Sequence, residues 1–240
     1  MPFSFRFRLL PFIAMLVVVA IGISLGQWQV RRAHEKESIE RRISERESAP
    51  ALQLGDRALQ QADVDALEFS QVAIKGEFQP GWTIYLDNRP HEGKAGFYVM
   101  TPLKIAGSGR HIMVARGWVE RNLADRSRLP DIATPAGVVE LTGVVRQHAG
   151  RLLQLGQAAA IRPGAIVQNL DVADMARASG LEFAPFIVEQ TSGTGDGLVR
   201  AWPKPSQGVD KHWGYAFQWF ALAGTAFIFF VVTGFKRGSQ

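Results

Sequence analysis

Five histidines, His34, His91, His111, His148 and His212, are the side chains best suited to hold a metal or move a proton. No two of them stand at HxH or HxxxH spacing, so a compact metal motif is not expected. Cysteine is absent, which excludes disulfides, thiolate metal sites, cysteine nucleophiles and cysteine-ligated iron–sulfur clusters. Asp87, Asp131, Asp174 and the serines form no nucleophile elbow or triad pattern. The glycine pairs Gly107/Gly109 and Gly193/Gly195 lack the downstream pattern of a nucleotide loop. His212 differs from the other histidines because it heads an apolar run, His212-Trp213-Gly214-Tyr215-Ala216-Phe217-Gln218-Trp219-Phe220. An imidazole there has two readings. It is a hydrogen-bonded residue among aromatics that anchor a helix at a membrane border. Alternatively, its ring nitrogen is an axial ligand to the iron of a flat apolar macrocycle, with Trp213, Tyr215, Phe217 and Trp219 packing against the porphyrin. Gln29 and Gln218 read either as helix-contact hydrogen bonders or as cofactor contacts. Trp28 and Arg32, four apart, share one helical face. The guanidinium forks of Arg32 and Arg116 suit haem carboxylates, or else face solvent or a partner acid.

These residues need elements to position them, and the apolar residues are gathered at the two ends of the 240-residue chain. Leu9 to Leu25 carries no charge, follows Arg6 and Arg8, and precedes Trp28; a membrane span over 9–30 is expected, of near-minimal length. A poor cleavage site at Gly26 to Gln29 and the bases Arg31 and Arg32 favour an anchor over a cleaved leader. Tyr215 to Phe235, closed by Lys236 and Arg237, is long enough for a second span, assigned to 214–235. All the acids lie between residues 31 and 213, so the middle is near neutral while the tails 1–8 and 236–240 are basic. Six bases follow the first span closely, and a strict count places them inside. A middle segment of this length translocates largely regardless of local charge, and cytoplasmic tails are expected. The bases are interleaved with acids and the tails are short, so nucleic acid is not an expected partner, whereas membrane lipid is.

Between the spans, residues 31–49 read as a solvated helical stalk with opposite charges at three- and four-residue spacing, for instance Glu37 with Arg41. Leu59, Val64 and Leu67 mark a short helix. From 68 to 202 the period changes to two. Strands are expected at Phe69–Phe78, Trp82–Leu86, Phe97–Leu103, His111–Val119 and Val138–Arg146, with further segments at Gly164–Gln168, Phe186–Glu189 and Leu198–Trp202. Asp171 caps a helix that runs to Ser179 and stops at Gly180. Short connections favour hairpins or a meander over parallel strands. The expected fold is thus a membrane protein whose two transmembrane helices flank a mainly antiparallel β (α+β) domain, barrel-like, over residues 31–213.

Several stretches carry a resemblance. They are Gly26 to Arg32 with Lys36, Gly96 to Leu103, Val114 to Val119, Leu141 to Arg146, and His212 to Phe220. In this order, bracketed by two spans, they resemble a bacterial member of the Surfeit-locus-1 family of cytochrome c oxidase assembly factors over essentially the full length. The resemblance implies a multi-pass protein of the bacterial inner membrane, with both tails cytoplasmic and the middle domain periplasmic. It also implies a non-enzymatic role in building the haem a centre of subunit I of an aa3-type oxidase, in complexes with subunit I and other assembly factors. His212 then corresponds to the histidine associated with haem a, as an axial ligand to its iron. Lys211, where asparagine is usual, and Leu170, where tryptophan is frequent, depart from the family pattern. The first span offers no second histidine, and His34 lies in a stalk that need not face the other helix. A haem-independent chaperone that stabilises subunit I is the alternative.

Overall fold

A computed structural model describes residues 3–5, 7–55, 60–125, 128–154, 156–203 and 208–237. In chain order the elements are β1 (Phe3–Phe5), α1 (Leu9–Glu47), β2 (Leu52–Leu54), α2 (Gln61–Leu67), β3 (Gln71–Phe78), β4 (Ile84–Leu86), β5 (Gly96–Ile105), β6 (His111–Glu120), β7 (Val138–Arg146), β8 (Ile166–Val167), α3 (Val172–Ser179), β9 (Phe183–Gln190), α4 (Val209–Gly234) and β10 (Phe235–Arg237). The chain divides into two compact units, residues 1–42 with 204–240, and residues 43–203.

The first unit contains two helices long and apolar enough to cross a membrane. No helix breaker separates the apolar run from the charged stalk, so α1 continues without interruption into it. β1 pairs antiparallel with β10, Ser4 opposite Lys236, which brings both ends of the chain to one end of the helix pair. The side chains of α1 that are buried recur at helical spacing: Met15, Gln29 and Ala33, with Gly22 and Gly26 between them. They meet a matching seam on α4 that contains Ala216 and Ala223. A Cβ added at Gly22 would lie 2.9 Å from the Trp219 carbonyl oxygen, and one added at Gly26 would lie 2.5 Å from the Phe220 ring. Glycine at these two positions is what allows the helices to approach so closely.

The second unit is built on a β-barrel. Strands β3, β7, β9, β6 and β5 are hydrogen-bonded in that order, and β3 pairs again with β5 to close the ring. β2 flanks β3, while β4 and β8 extend the sheet beyond β5. Alternation puts Ile74, Leu103, Val114, Leu141 and Val188 among the interior side chains, all essentially without exposed surface. A second apolar cluster, with Met100, Met113, Ile187 and Met175 of α3, covers the outside of the sheet. α3 starts as expected, with the Asp171 carboxylate accepting the Ala173 N–H at 2.8 Å, and stops at Gly180 in a left-handed conformation.

Three expectations change. Most strand pairs are antiparallel, but β2–β3, β4–β8 and β6–β9 are parallel, so the domain is not a simple meander. Period-two alternation identifies a strand and its buried face, not its neighbour or direction. Leu198–Trp202 forms no strand; a single bridge joins Val199 to Trp118. Glu37 is hydrogen-bonded by Trp213 of the other helix and by His34, and Arg41 attracts it only at longer range. The expectation at Leu59 lies outside the described residues, while Val64 and Leu67 do fall on α2.

Candidate functional site

The seam between α1 and α4 determines what happens at its outer end. After Gly22 and Gly26, the next residue on the same face of α1 is Gln29, whose side chain is 9% exposed. Opposite it stands His212, in the first turn of α4 and half-buried. Gln29 Oε1 lies 2.7 Å from His212 Nδ1. With the amide oxygen facing the ring, Nδ1 carries the proton and donates it, so Nε2 retains its lone pair. Nε2 has no hydrogen-bond partner among the described residues. An imidazole tied to an acceptor through one nitrogen in this way has its ring plane held, as metal-ligating histidines usually do.

One residue further along α4, Trp213 Nε1 donates to Glu37 Oε1 at 2.8 Å. The other carboxylate oxygen of Glu37 lies 3.1 Å from His34 Nδ1. The His34 and Trp213 rings meet edge to face, with centroids 5.2 Å apart. The stalk histidine therefore faces the second helix. The Trp213 hydrogen bond, and after it that of His34, holds the Glu37 carboxyl below its usual range. Glu37 ties α1 to the start of α4 through two different side chains.

The remaining candidates separate into groups. Trp219 lies about 20° from His212 around α4, at 100° per residue, and is half-buried on the same side. Tyr215 is exposed, about 60° away. Phe217, 74% exposed, and Gln218, also exposed, lie about 120–140° from His212, so neither shares its face. On α1, Trp28 is half exposed, and with Arg31, Arg32 and Glu35 it lines a recess of about 190 Å³. Arg32 donates to Glu35 at 2.8 Å, and both side chains are more than half exposed, so this ion pair is weak and exchangeable.

Arg116 does not belong to such a site. It points into the barrel two residues after Val114, and its side chain has no exposed surface. Its guanidinium donates to Asp196 at 3.0 Å, to Thr134 Oγ1 and to the Ala133 carbonyl at 2.7 Å each, and stacks 4.9 Å from the Phe78 ring. With no exposed surface, the guanidinium is out of reach of a carboxylate from outside. The expectation that it meets a haem propionate is withdrawn.

The donor set suits the group that the sequence suggests. An imidazole held through Nδ1, apolar rings beside it and an arginine with a weakly held partner suit an iron porphyrin with carboxylate edges. Gly22 and Gly26, which set Gln29 against His212, were not singled out in the sequence, although Gly22-x3-Gly26 in an apolar run is a recognisable close-packing motif. Glu37 carried no such signal, because its partner is 176 residues away.

A sequence model described as the SURF1 family matches residues 16–224, which takes in the whole barrel and most of each long helix. The chain is 27% identical over 236 residues to a SURF1-like protein of Rickettsia bellii, covering 94% of this chain and 90% of that protein. To a SURF1-like protein of Drosophila melanogaster it is 25% identical over 240 residues, covering 90% and 75% respectively. A SURF1-like protein of Rickettsia felis is 35% identical over a shorter stretch of 108 residues, 44% of this chain and 45% of that one.

Proposed function

Because this chain belongs to the SURF1 family, we propose that it is an assembly factor for an aa3-type cytochrome c oxidase, binding haem a and assisting its insertion into subunit I. The hydrogen bond between Gln29 and His212 carries this reading. Gln29 Oε1 accepts the Nδ1–H hydrogen bond, which stops the ring from turning and leaves Nε2 available. Haem a would supply an iron for His212 to hold, an apolar tail suited to lipid and two carboxylates. Trp213 and Trp219 offer it ring faces, and Arg32, beside Trp28 at the same border, offers a cation to a carboxylate. One tethered imidazole favours release, since a second strong ligand would suit storage or electron transfer. No covalent bond need be made or broken, so the role is not enzymatic. In this reading the barrel domain is periplasmic, both tails are cytoplasmic, the membrane is the bacterial inner membrane, and the partners are subunit I and other assembly factors.

A second reading is a chaperone that holds subunit I without haem. The half-buried, already hydrogen-bonded His212 also suits a plain anchor between two helices. Replacement of the chromosomal gene with a His212→Ala variant separates the two. Haem delivery requires loss of aa3 activity while subunit I remains abundant. Parallel loss of subunit I and activity favours the chaperone, and full activity refutes the haem role of His212.

A further inference from the structure

The start of α4 carries His212 but is weakly built as a helix. Its N-cap is Gly208, which has no side chain to accept the free N–H groups of the first turn. Gly214, the poorest helix former after proline, follows Trp213. The close contacts of Gly22 and Gly26, with Trp219, Phe220 and Ala223, begin about two turns further along. What ties the start of α4 to α1 is side-chain chemistry: Gln29 holds His212 at 2.7 Å, and Glu37 holds the adjacent Trp213 at 2.8 Å. Gln29 and Glu37 are eight residues apart, about 12 Å along α1, so consecutive residues of α4 are gripped from two well-separated points. Antiparallel helices make this reach natural, because each Cα–Cβ bond tilts towards the N-terminus of its own helix: Glu37 leans towards the apolar run of α1, and Trp213 leans away from that of α4. Trp213 is 39% exposed, so without that bond its indole is free to change rotamer. The His34 ring backs the indole edge to face at 5.2 Å and is itself joined to Glu37 at 3.1 Å, so Glu37 touches both of the other side chains.

We propose that Glu37 is a positioning residue for the His212 site: by pinning the Trp213 indole it fixes the rotation of the start of α4 and keeps His212 against Gln29. Haem affinity then depends on Glu37 as well, a consequence that rests on the reading of His212 as the axial ligand. Glu37 acts through Trp213 and is not itself a ligand. Consecutive helix residues point about 100° apart, so a turn held by Gln29 alone can pivot about that one bond, whereas a turn held also at Trp213 cannot. A carboxylate acceptor makes the indole bond stronger than a neutral one. The same bond makes the indole a fixed wall beside the imidazole, in place of a rotor that a flat ligand would have to order at a cost to its own affinity.

The chain has no cysteine, so a pair of introduced thiols reports this geometry without haem. In the full-length protein carrying Gln29→Cys and His212→Cys, dibromobimane, which fluoresces once both its ends have reacted with nearby thiols, is expected to bridge the two positions. Adding Glu37→Ala or Trp213→Phe should lower the bridged yield about 3–5-fold, and Glu37→Gln, which still offers the indole an acceptor, should recover most of it. With Gln29 and His212 in place, titration with haem a should show Glu37→Ala binding about 3–5-fold more weakly, with the parent spectrum at saturation, and Glu37→Gln restoring the affinity. Glu37→Ala should add nothing to the loss caused by Trp213→Phe, because the two act through one bond. The proposal is overturned by no bridge between the two thiols, by a bridged yield that Glu37→Ala leaves unchanged or Glu37→Gln fails to restore, or by additive losses of haem affinity in the double variant. A parent that binds no haem while its bridge still depends on Glu37 refutes the haem reading and supports the positioning role.

Discussion

A guanidinium with no exposed surface has to be neutralised where it stands, and Arg116 shares Asp196 with Arg200 for that purpose. Burial works against the Asp196 carboxylate, but hydrogen bonds from Arg200 and Thr194 outweigh it and keep the group below its usual range. Asp196→Ala leaves two arginines facing each other with no acid between them, and is expected to cost about 3–5 kcal/mol in chemical denaturation of the full-length protein. Arg116→Met, which leaves Asp196 paired with Arg200, should cost less. Glu189 shows the opposite balance. Burial pushes its carboxyl up to about 7, and Arg146, 3.7 Å away, offsets only part of that. The folded protein holds this proton more tightly than the unfolded chain does. Stability from Glu189 is therefore full below about pH 4.5 and is lost as pH rises towards 7, on the order of 3 kcal/mol in all. Glu189→Gln should match the parent near pH 4.5 and exceed it at pH 8, which denaturation at the two pH values checks; equal pH dependence would refute the assignment. Neither group was legible in the sequence. A partner acid was one of the readings open for Arg116, but which acid was not legible, because Asp196 is 80 positions away.

At the scale of elements, the first helix pair is the best determined. Spacing of the apolar runs located both helices, and the alternating segments located most strands of the barrel, because burial imposes a period on the sequence. Partner choice was not legible, since β6 lies beside β9 in parallel only through closure of the whole ring. The rotation of α4 was half legible: His212 could be placed at its head, but only the packing of Gly22 and Gly26 shows that Gln29, and not Gln218, is opposite it. Gly22→Ala is the sharp test of that seam. The added methyl group meets a backbone carbonyl oxygen at 2.9 Å and the Ala223 methyl at 3.0 Å, neither of which can swing aside. The melting temperature in detergent is expected to fall by several degrees, and further for Gly22→Leu. An unchanged melting temperature in both would mean that the helices do not pack through this face.

For the whole molecule, the pairing of β1 with β10 puts both chain ends together, so the ends share one side of whatever membrane the two helices cross. The side itself depends on the length of the middle domain prevailing over the six bases that follow the first span. Protease added to sealed right-side-out vesicles should digest residues 43–203 and spare the helices; a fully protected barrel would reverse the orientation. Membership of the family was legible because its marks are spread along the chain and fall on structural necessities, the helix seam, the barrel strands and the head of α4. The proposed chemistry depends on far less: one imidazole, held by one amide.

Haem a titrated into purified full-length protein, with visible spectra and haem extraction, tests that point directly. The parent is expected to give a histidine-ligated spectrum, His212→Ala to lose both the spectrum and most of the bound haem, and Gln29→Leu to bind about 10–100-fold more weakly with the ligand still present. Unchanged haem content and spectrum in His212→Ala would contradict the account.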